Sequence, residues 1–255
     1  MPMNLVRPLV LLVLVLAAAS APARPLEEIR RSGTLIVATG GEFPPFNYFQ
    51  GSRLSGFEIE ITELVARRMG LRLKWKTLGF DSLLTGLLQD RWDLVVSSHG
   101  VTAQRARAVT FTHPHYCSGS VVVARDPNIR SAADLTGRVV GVQTGSTYLE
   151  NLRRLAKPRQ IRNFPQDRDA RTALASGRTD AWVTDRFVAL AAVASDPRAG
   201  LHVGDLLLVE HIAAATQKGN AGLAAAYDRA LAQVMADGSY AAVSRKYFDQ
   251  DIRCK

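Results

Sequence analysis

Short apolar runs alternate with stretches of helical period along most of this chain, and that alternation restricts the possible folds more than any single motif does. Thr34–Thr39 (TLIVAT) reads as a buried strand. Phe57, Ile61, Leu64, Val65 and Met69 then fall at helical spacing, with Gly70 where a C-cap belongs. Leu71, Leu73 and Trp75 alternate with Arg72, Lys74 and Lys76, the pattern of a half-buried strand, and a helix over Ser82–Gln89 and a strand over Asp93–Ser97 follow. Parallel strands need crossover connections, so this β-α-β-α-β succession predicts a mostly parallel sheet covered by helices. A second series begins after Cys117. Its strands are Ser120–Ala124, Val139–Val142, Ile161–Phe164 and Asp180–Val183; its helices are Ser131–Leu135, Thr147–Leu155, Arg168–Ala175 and Arg186–Ala194. Strands over Leu206–Val209 and Ile212–Thr216 and helices over Ala221–Ala236 and Tyr240–Phe248 complete the pattern. Two series of this kind predict two α/β lobes with a cleft between them.

The N-terminus predicts export. Arg7 supplies a positive charge, Leu5 and Pro8–Leu16 an apolar run, and Ala21-Pro22-Ala23 a small-residue cleavage site, so the mature chain is expected to start near Arg24. The apolar run is shorter than the roughly 20 residues that a membrane span needs. Neither Cys117 nor Cys254 lies near the cleavage site, which leaves no cysteine there for a lipid anchor. In an oxidising compartment these two cysteines either bridge or stand as unrelated thiols, and their separation in sequence does not decide between the two. The formal net charge is +9. Its carriers are scattered (Arg67-Arg68, Arg105, Arg107, Arg153-Arg154), with no basic tract and no interleaved aromatics, so a solvated basic surface is expected rather than nucleic-acid binding.

In open α/β sheets a ligand sits beyond the carboxyl ends of the strands. The residues at those positions are Gly40-Gly41-Glu42-Phe43, Gly79-Phe80-Asp81, Ser97-Ser98-His99-Gly100 leading to Arg105, Gln143-Thr144-Gly145-Ser146-Thr147, and Thr184-Asp185-Arg186. They suit a zwitterionic amino acid. The planar fork of Arg105 can take a carboxylate in two parallel hydrogen bonds. Gly145-Ser146-Thr147 at a helix start adds N–H donors, Asp185 can accept the ammonium, and Phe43 and Phe80 can flank the side chain. Each signal also has a plainer explanation: Asp185 as a helix N-cap, the phenylalanines as core, Arg105 as a surface residue. Their joint order carries the reading.

Several stretches resemble the family 3 periplasmic solute-binding proteins, the amino-acid receptors of ABC importers. They are Leu35–Phe46 (LIVATGGEFPPF), Gly56–Glu60 (GFEIE), Trp92–Ser98 (WDLVVSS), Val101–Arg105 (VTAQR), Phe111–Tyr116 (FTHPHY), Asp134–Gly145 (DLTGRVVGVQTG), Gly177–Asp185 (GRTDAWVTD) and Asp237–Phe248 (DGSYAAVSRKYF). The resemblance implies a type II-like periplasmic-binding-protein fold, two α/β lobes with mostly parallel sheets joined by two hinge strands. Lobe 1 would take residues 24–116 and 210–255, and lobe 2 residues 117–209. It also implies a monomer in the periplasm that hands its ligand to an ABC permease, with no cofactor and no metal. By resemblance, Arg105 matches the carboxylate-binding arginine, Thr147 with Ser146 the helix-start donors, Asp185 the ammonium-binding aspartate, Ser98 a ligand-orienting residue, and Phe43 and Phe80 the aromatic walls.

The chain departs from the family pattern in two places. Gly40 stands where binders of cationic amino acids carry an acid, although Glu42 lies close enough to substitute. Gly100 stands where a hydroxyl residue usually contacts the ligand. Glu42, His99 and Gln143 are candidates for side-chain selectivity, and Thr147-Tyr148 with Asp185-Arg186 resemble cystine-type and polar amino-acid binders. The rival reading is a cyclohexadienyl (arogenate/prephenate) dehydratase-like enzyme on the same scaffold, in which a glutamate typically replaces Asp185. No G-x-S-x-G, P-loop or metal-spaced histidine pair is present, and His113 and His115, which flank Pro114, are not expected to form a zinc site.

Overall fold

The computed structural model describes residues 23–254. The export leader expected over residues 1–23 therefore lies, apart from Ala23, outside the described residues. In chain order the strands are β1 (Thr34–Thr39), β2 (Glu42–Phe43), β3 (Asn47–Gln50), β4 (Arg53–Ser55), β5 (Arg72–Thr77), β6 (Leu94–Val95), β7 (Val109–Phe111), β8 (Tyr116–Ala124), β9 (Val139–Gln143), β10 (Gln160–Phe164), β11 (Ala181–Asp185), β12 (His202–Ile212) and β13 (Ala215–Gln217). The helices are α1 (Leu26–Ser32), α2 (Phe57–Arg68), α3 (Phe80–Leu88), α4 (Ala103–Ala108), α5 (Thr147–Leu155), α6 (Asp167–Ala175), α7 (Arg186–Ser195), α8 (Ala221–Ala236) and α9 (Ser239–Phe248).

Two five-stranded sheets organise the molecule, one in the order β5-β1-β6-β13-β7 and the other β10-β9-β11-β8-β12, with a small β2-β3-β4 sheet beside them. Each large sheet has a single strand running against the rest. In the first it is β13, antiparallel to both β6 and β7; in the second it is β8, antiparallel to both β11 and β12. Both reversed strands are the first that the chain lays down after crossing from one sheet to the other. A crossing strand enters from the partner lobe rather than through a helix, which leaves it free to run against its neighbours. The sheets are thus parallel where βα units build them and mixed where the lobes join.

The helices form where sequence periodicity places them, except that the helix expected over Ser131–Leu135 is only a 3-10 turn at Ala133–Leu135, and particular contacts fix their ends. Gly56, before α2, has φ 124°, and a Cβ there would lie 2.3 Å from the Phe46 carbonyl oxygen, so glycine is required. Phe57, Ile61 and Val65 on α2 are fully buried. On α3, Gly86 lets the Trp92 ring lie against the helix while the indole N–H donates to the Leu83 carbonyl at 3.1 Å. Aromatic rings bridge the two halves: Phe46 stacks on Tyr116 with centroids 4.6 Å apart, and Phe187 of α7 packs on Phe248 of α9 at 4.9 Å.

The chain differs from sequence expectation near its end. Leu206–Val209 is the middle of the longer strand β12, which pairs with β8 along one sheet edge and leaves Val209 61% exposed. The strand expected over Ile212–Thr216 breaks at Ala213-Ala214, where the chain changes sheets. Of Asp93–Ser97 only Leu94–Val95 forms ladder pairs with β1; the Asp93 and Val96 amides still donate to the Ile36 and Ala38 carbonyls at 3.0 and 2.9 Å, and the Asp93 carboxylate accepts from the Ile36 N–H at 2.8 Å and from Arg24 at 2.5 Å. The short pieces α1, α4, β2–β4 and β7 carry too few periods to be read from sequence. Cys117 and Cys254 form a disulfide, tying the chain's tail to the start of β8. Among the described residues, no helix is long and apolar enough to cross a membrane.

Candidate functional site

Between the two large sheets lies a cavity of about 250 Å³. Of the residues singled out from sequence, Glu42, Phe43, Phe80, Ser98, Arg105, Gln143, Ser146 and Thr147 line it together, drawn from both sheets. Gly100, His99 and Asp185 do not line it; Gly100 and His99 pack behind lining residues, and Asp185 is buried at the start of α7. His99 stacks on Phe80 with ring centroids 4.4 Å apart, and burial followed by the nearby Arg105 charge holds its pKa well below the usual value, so it is a neutral support for the wall.

Arg105 sits on α4. The helix is capped by Thr102, whose hydroxyl accepts from the Arg105 N–H at 3.1 Å. The guanidinium donates to the carbonyls of Gly100 and Gly145, each at 2.9 Å. Gly145 immediately precedes Ser146, the N-cap of α5, so Arg105 spans from the first sheet's side to the second's. Burial lowers its pKa, and Glu210, Tyr148 and Glu150 oppose that effect. Gly100 has a local reason to lack a side chain, since a Cβ there would lie 3.2 Å from Glu210 Oε1 and 3.4 Å from Thr147 Cγ2.

At the start of α5, the Ser146 hydroxyl donates to the Gln143 carbonyl at 2.7 Å. The Thr147 hydroxyl donates to Glu210 Oε1 in a short bond. Glu210 lies on β12, where burial raises its pKa while Thr147 and Arg105 pull it back. No motif pointed to this residue; it directly follows the expected strand Leu206–Val209, but it projects near the end of the longer crossing strand β12. Tyr148 also lines the cavity, and burial followed by the charges of Glu210 and Asp185 pushes its pKa well up, so it stands there as a neutral phenol.

Asp185 caps α7, accepting from the N–H groups of Phe187 at 2.7 Å and Val188 at 3.3 Å. It is 2% exposed, and burial pushes its pKa up to about 7 against the opposing hydrogen bonds from those two amides. Among the described residues no Lys, Arg or His forms a salt bridge with it.

Ser98 is held from behind by Glu58, the centre of a buried network that sequence reasoning missed. Glu58 is fully buried on α2. Its Oε1 accepts from the Ser98 N–H at 2.8 Å and meets His115 Nε2 at 3.0 Å, while Oε2 accepts from Asn47 Nδ2 at 2.7 Å and from the Ser98 hydroxyl at 3.0 Å. Ser98 has φ 52°, in the left-handed region, and its hydroxyl turns away to Glu58. The clue was a glutamate within the core-facing run Gly56–Ile59. The same network accounts for His115, and His113 lies 3.8 Å from Asp228. His211 has a ring nitrogen within 4.8 Å of both Cys117 and Cys254 sulfurs, but the sulfurs are bonded to each other and so are not thiolate ligands.

The family model described as "Bacterial extracellular solute-binding proteins, family 3" matches residues 35–250, nearly the whole described chain. The chain belongs to that family. Family relatives bear this out over similar lengths. The L-cystine-binding protein TcyJ of Escherichia coli strain K12 is 32% identical over 232 residues, covering 89% of this chain and 87% of the relative. A solved structure of an ancestral arginine-binding protein bound to glutamine is 33% identical, with a TM-score of 0.81 over 86% of this chain and 99% of that one. The ancestral amino acid-binding protein AncCDT-1, a precursor of cyclohexadienyl dehydratase, is 29% identical with a TM-score of 0.80, over 88% and 99%. These neighbours share the two-lobed fold.

Proposed function

We propose that the protein captures a free α-amino acid in the cavity between its lobes, outside the cytoplasm, and delivers it to the permease of an ABC importer. One observation supports this above the rest: the Arg105 guanidinium reaches from one sheet's side to the Gly145 carbonyl, just ahead of the Ser146 N-cap of α5 on the other. A carboxylate placed there meets a charged fork, a helix N-terminus and two hydroxyls at once. The ammonium is drawn toward Asp185, whose raised pKa marks a buried carboxylate without a cation. Phe43 and Phe80 flank the remainder. In the same reading Glu58 orients the Ser98 loop, and Glu210 holds the Thr147 hydroxyl until a ligand carboxylate competes for it.

The lobes are residues 24–116 with 210–255, and 117–209, and they close by rocking about the two crossings. A ligand that touches both lobes favours the closed form by its differential affinity. The leader directs export and is cleaved near Ala23, and the mature protein acts as a monomer. A thermal-shift screen of the common amino acids, followed by calorimetry, tests this reading. At least one amino acid should raise the melting temperature, and Arg105→Ala should abolish that rise. The absence of any amino-acid ligand, or an unaltered rise in the variant, refutes it. Asp185, where dehydratase-like relatives typically carry a glutamate, supports binding over the dehydratase-like alternative, and measurable turnover of prephenate or arogenate by the wild-type protein would overturn the choice.

A further inference from the structure

The cavity of the candidate site adjoins a second one of about 480 Å³, and of the residues lining either space only Glu42 and Phe49 line both. Arg105, Ser146 and Thr147 line the first cavity alone, so the shared wall stands away from the end that suits a carboxylate. Phe49 is the apolar part of that wall. At 47% exposure it is a large apolar side chain with open space beside it, not part of the core. Its strand is nevertheless pinned. Phe49 lies on β3, between β2 and β4, and stands opposite Leu54. Two residues earlier, fully buried Asn47 accepts from the Gly41 N–H at 2.9 Å and donates to Glu58 at 2.7 Å. Gly41 leaves room for the ring, since a Cβ there would lie 2.9 Å from Phe49 Cε2.

With its backbone held in this way, the ring can leave the wall only by changing rotamer. Charges of both signs surround the wall, Arg168 and Arg171 against Asp167, Asp169 and Glu42. Charge therefore does not single out what crosses it; length does. An amino acid whose carboxylate lies at Arg105 has its side chain left to run toward this wall, and an apolar wall discriminates a single methylene by about 10–200-fold. We infer that Phe49 is a specificity-determining residue: it limits the length of side chain that the first cavity accepts, and without it the two cavities become one. This role rests on the amino-acid reading of the first cavity and adds to it the residue that selects by length.

Calorimetry on the mature protein tests this with a straight-chain series that differs only in length: L-2-aminobutyrate, L-norvaline, L-norleucine and L-2-aminooctanoate. The tails are uncharged, so the mixed charges around the wall do not bias the comparison. In the wild-type protein affinity should break off along the series. In Phe49→Ala it should continue to the longest member, raising the ratio of L-2-aminooctanoate to L-norvaline affinity at least ten-fold over wild type. Phe49→Trp should move the ratio of L-norleucine to L-norvaline affinity the other way, and general damage to the cleft would not move the two variants in opposite directions. Phe49 lies outside the core, so both variants fold, and their melting curves verify that. Ratios that stay unchanged or shift in the same direction in both variants overturn the role of Phe49, as does a folded Phe49→Ala that fails to bind L-2-aminooctanoate; the amino-acid site survives each of these results. If the wild-type protein binds none of the twenty common amino acids, the amino-acid reading falls and the role of Phe49 falls with it.

Discussion

Replacing Glu58 by glutamine tests whether the candidate site is supported from behind. The four groups facing its two oxygens are the Ser98 amide and hydroxyl, Asn47 Nδ2 and His115 Nε2. Glutamine keeps the shape but turns one acceptor into a donor. With the amide nitrogen at the Oε1 position, it faces the Ser98 N–H; at the Oε2 position, it faces Asn47 Nδ2. Asn47 cannot flip freely, because its Oδ1 already accepts from the Gly41 N–H at 2.9 Å. With the nitrogen at Oε2 the buried Asn47 Nδ2 loses its acceptor, and with it at Oε1 the Ser98 N–H keeps only its longer contact, to Oε2 at 3.0 Å, so a loss of about 1–3 kcal/mol, that of one orphaned or weakened group, is expected. Glu58→Ala, which strands His115 as well, should cost about 3–5 kcal/mol. Urea unfolding followed by tryptophan fluorescence measures both, with the loss appearing as a lower midpoint at unchanged slope. Ser98, held at φ 52° by this contact, should relax, so amino-acid affinity should drop together with stability. A glutamine variant within 0.5 kcal/mol of wild type would show that the network does not hold the loop, and the account of Ser98 would fail with it.

Arg105→Lys should keep the charge but lose the fork; calorimetry should show at least a ten-fold weaker amino-acid affinity, and near wild-type binding would count against a bidentate role. Asp167 is buried, accepts from Trp182 Nε1 and Thr184 Oγ1 at 3.0 Å each, and has its pKa pushed up to about 7 by burial. The folded state therefore holds a proton that the unfolded chain releases, so its contribution is full below about pH 4 and is lost as pH rises through about 7. Asp167→Asn can keep both bonds without the charge. It should flatten that slope and stabilise the protein at pH 8 by up to about 4 kcal/mol, and denaturant curves from pH 4 to 8 showing an unaltered slope would contradict this. Gly86→Ala places a methyl 2.1 Å from the Trp92 ring and should cost about 1–3 kcal/mol through overpacking, read as a lower melting temperature. Replacing both cysteines by serine reopens a loop of 137 residues and should cost about 2–5 kcal/mol; a loss below 1 kcal/mol would mean that the bridge adds little.

What the sequence reveals here divides along a physical line. Helices α5 and α8 coincide with their periodic stretches to the residue, because amphipathic spacing over nine or more positions has few alternatives. Strand β1 was equally legible as a buried apolar run. Strand ends also showed where a cavity would be lined, since loops there must enter helices, and eight of the singled-out residues meet on one surface. Glu58 and Glu210 escaped for different reasons. Glu58 occupies a helix position that periodicity assigns to an apolar residue, so its partners become visible only once Ser98, Asn47 and His115 are brought together from three distant segments. Glu210 lies on a strand half exposed along its length, where a charged residue carries no signal. The split of the expected strand Ile212–Thr216 was hidden because both sheets demand the same apolar residues there.

The bond between Cys117 and Cys254, with the Cys117 amide donating to the Ile252 carbonyl at 3.1 Å, fastens the last described residues to the spot where the polypeptide passes between halves. Any rocking of one half against the other leaves such a spot almost stationary. A dye or surface tether attached there would ride on the pivot and stay blind to closure, whereas one on the far rim of either half would sweep the widest arc.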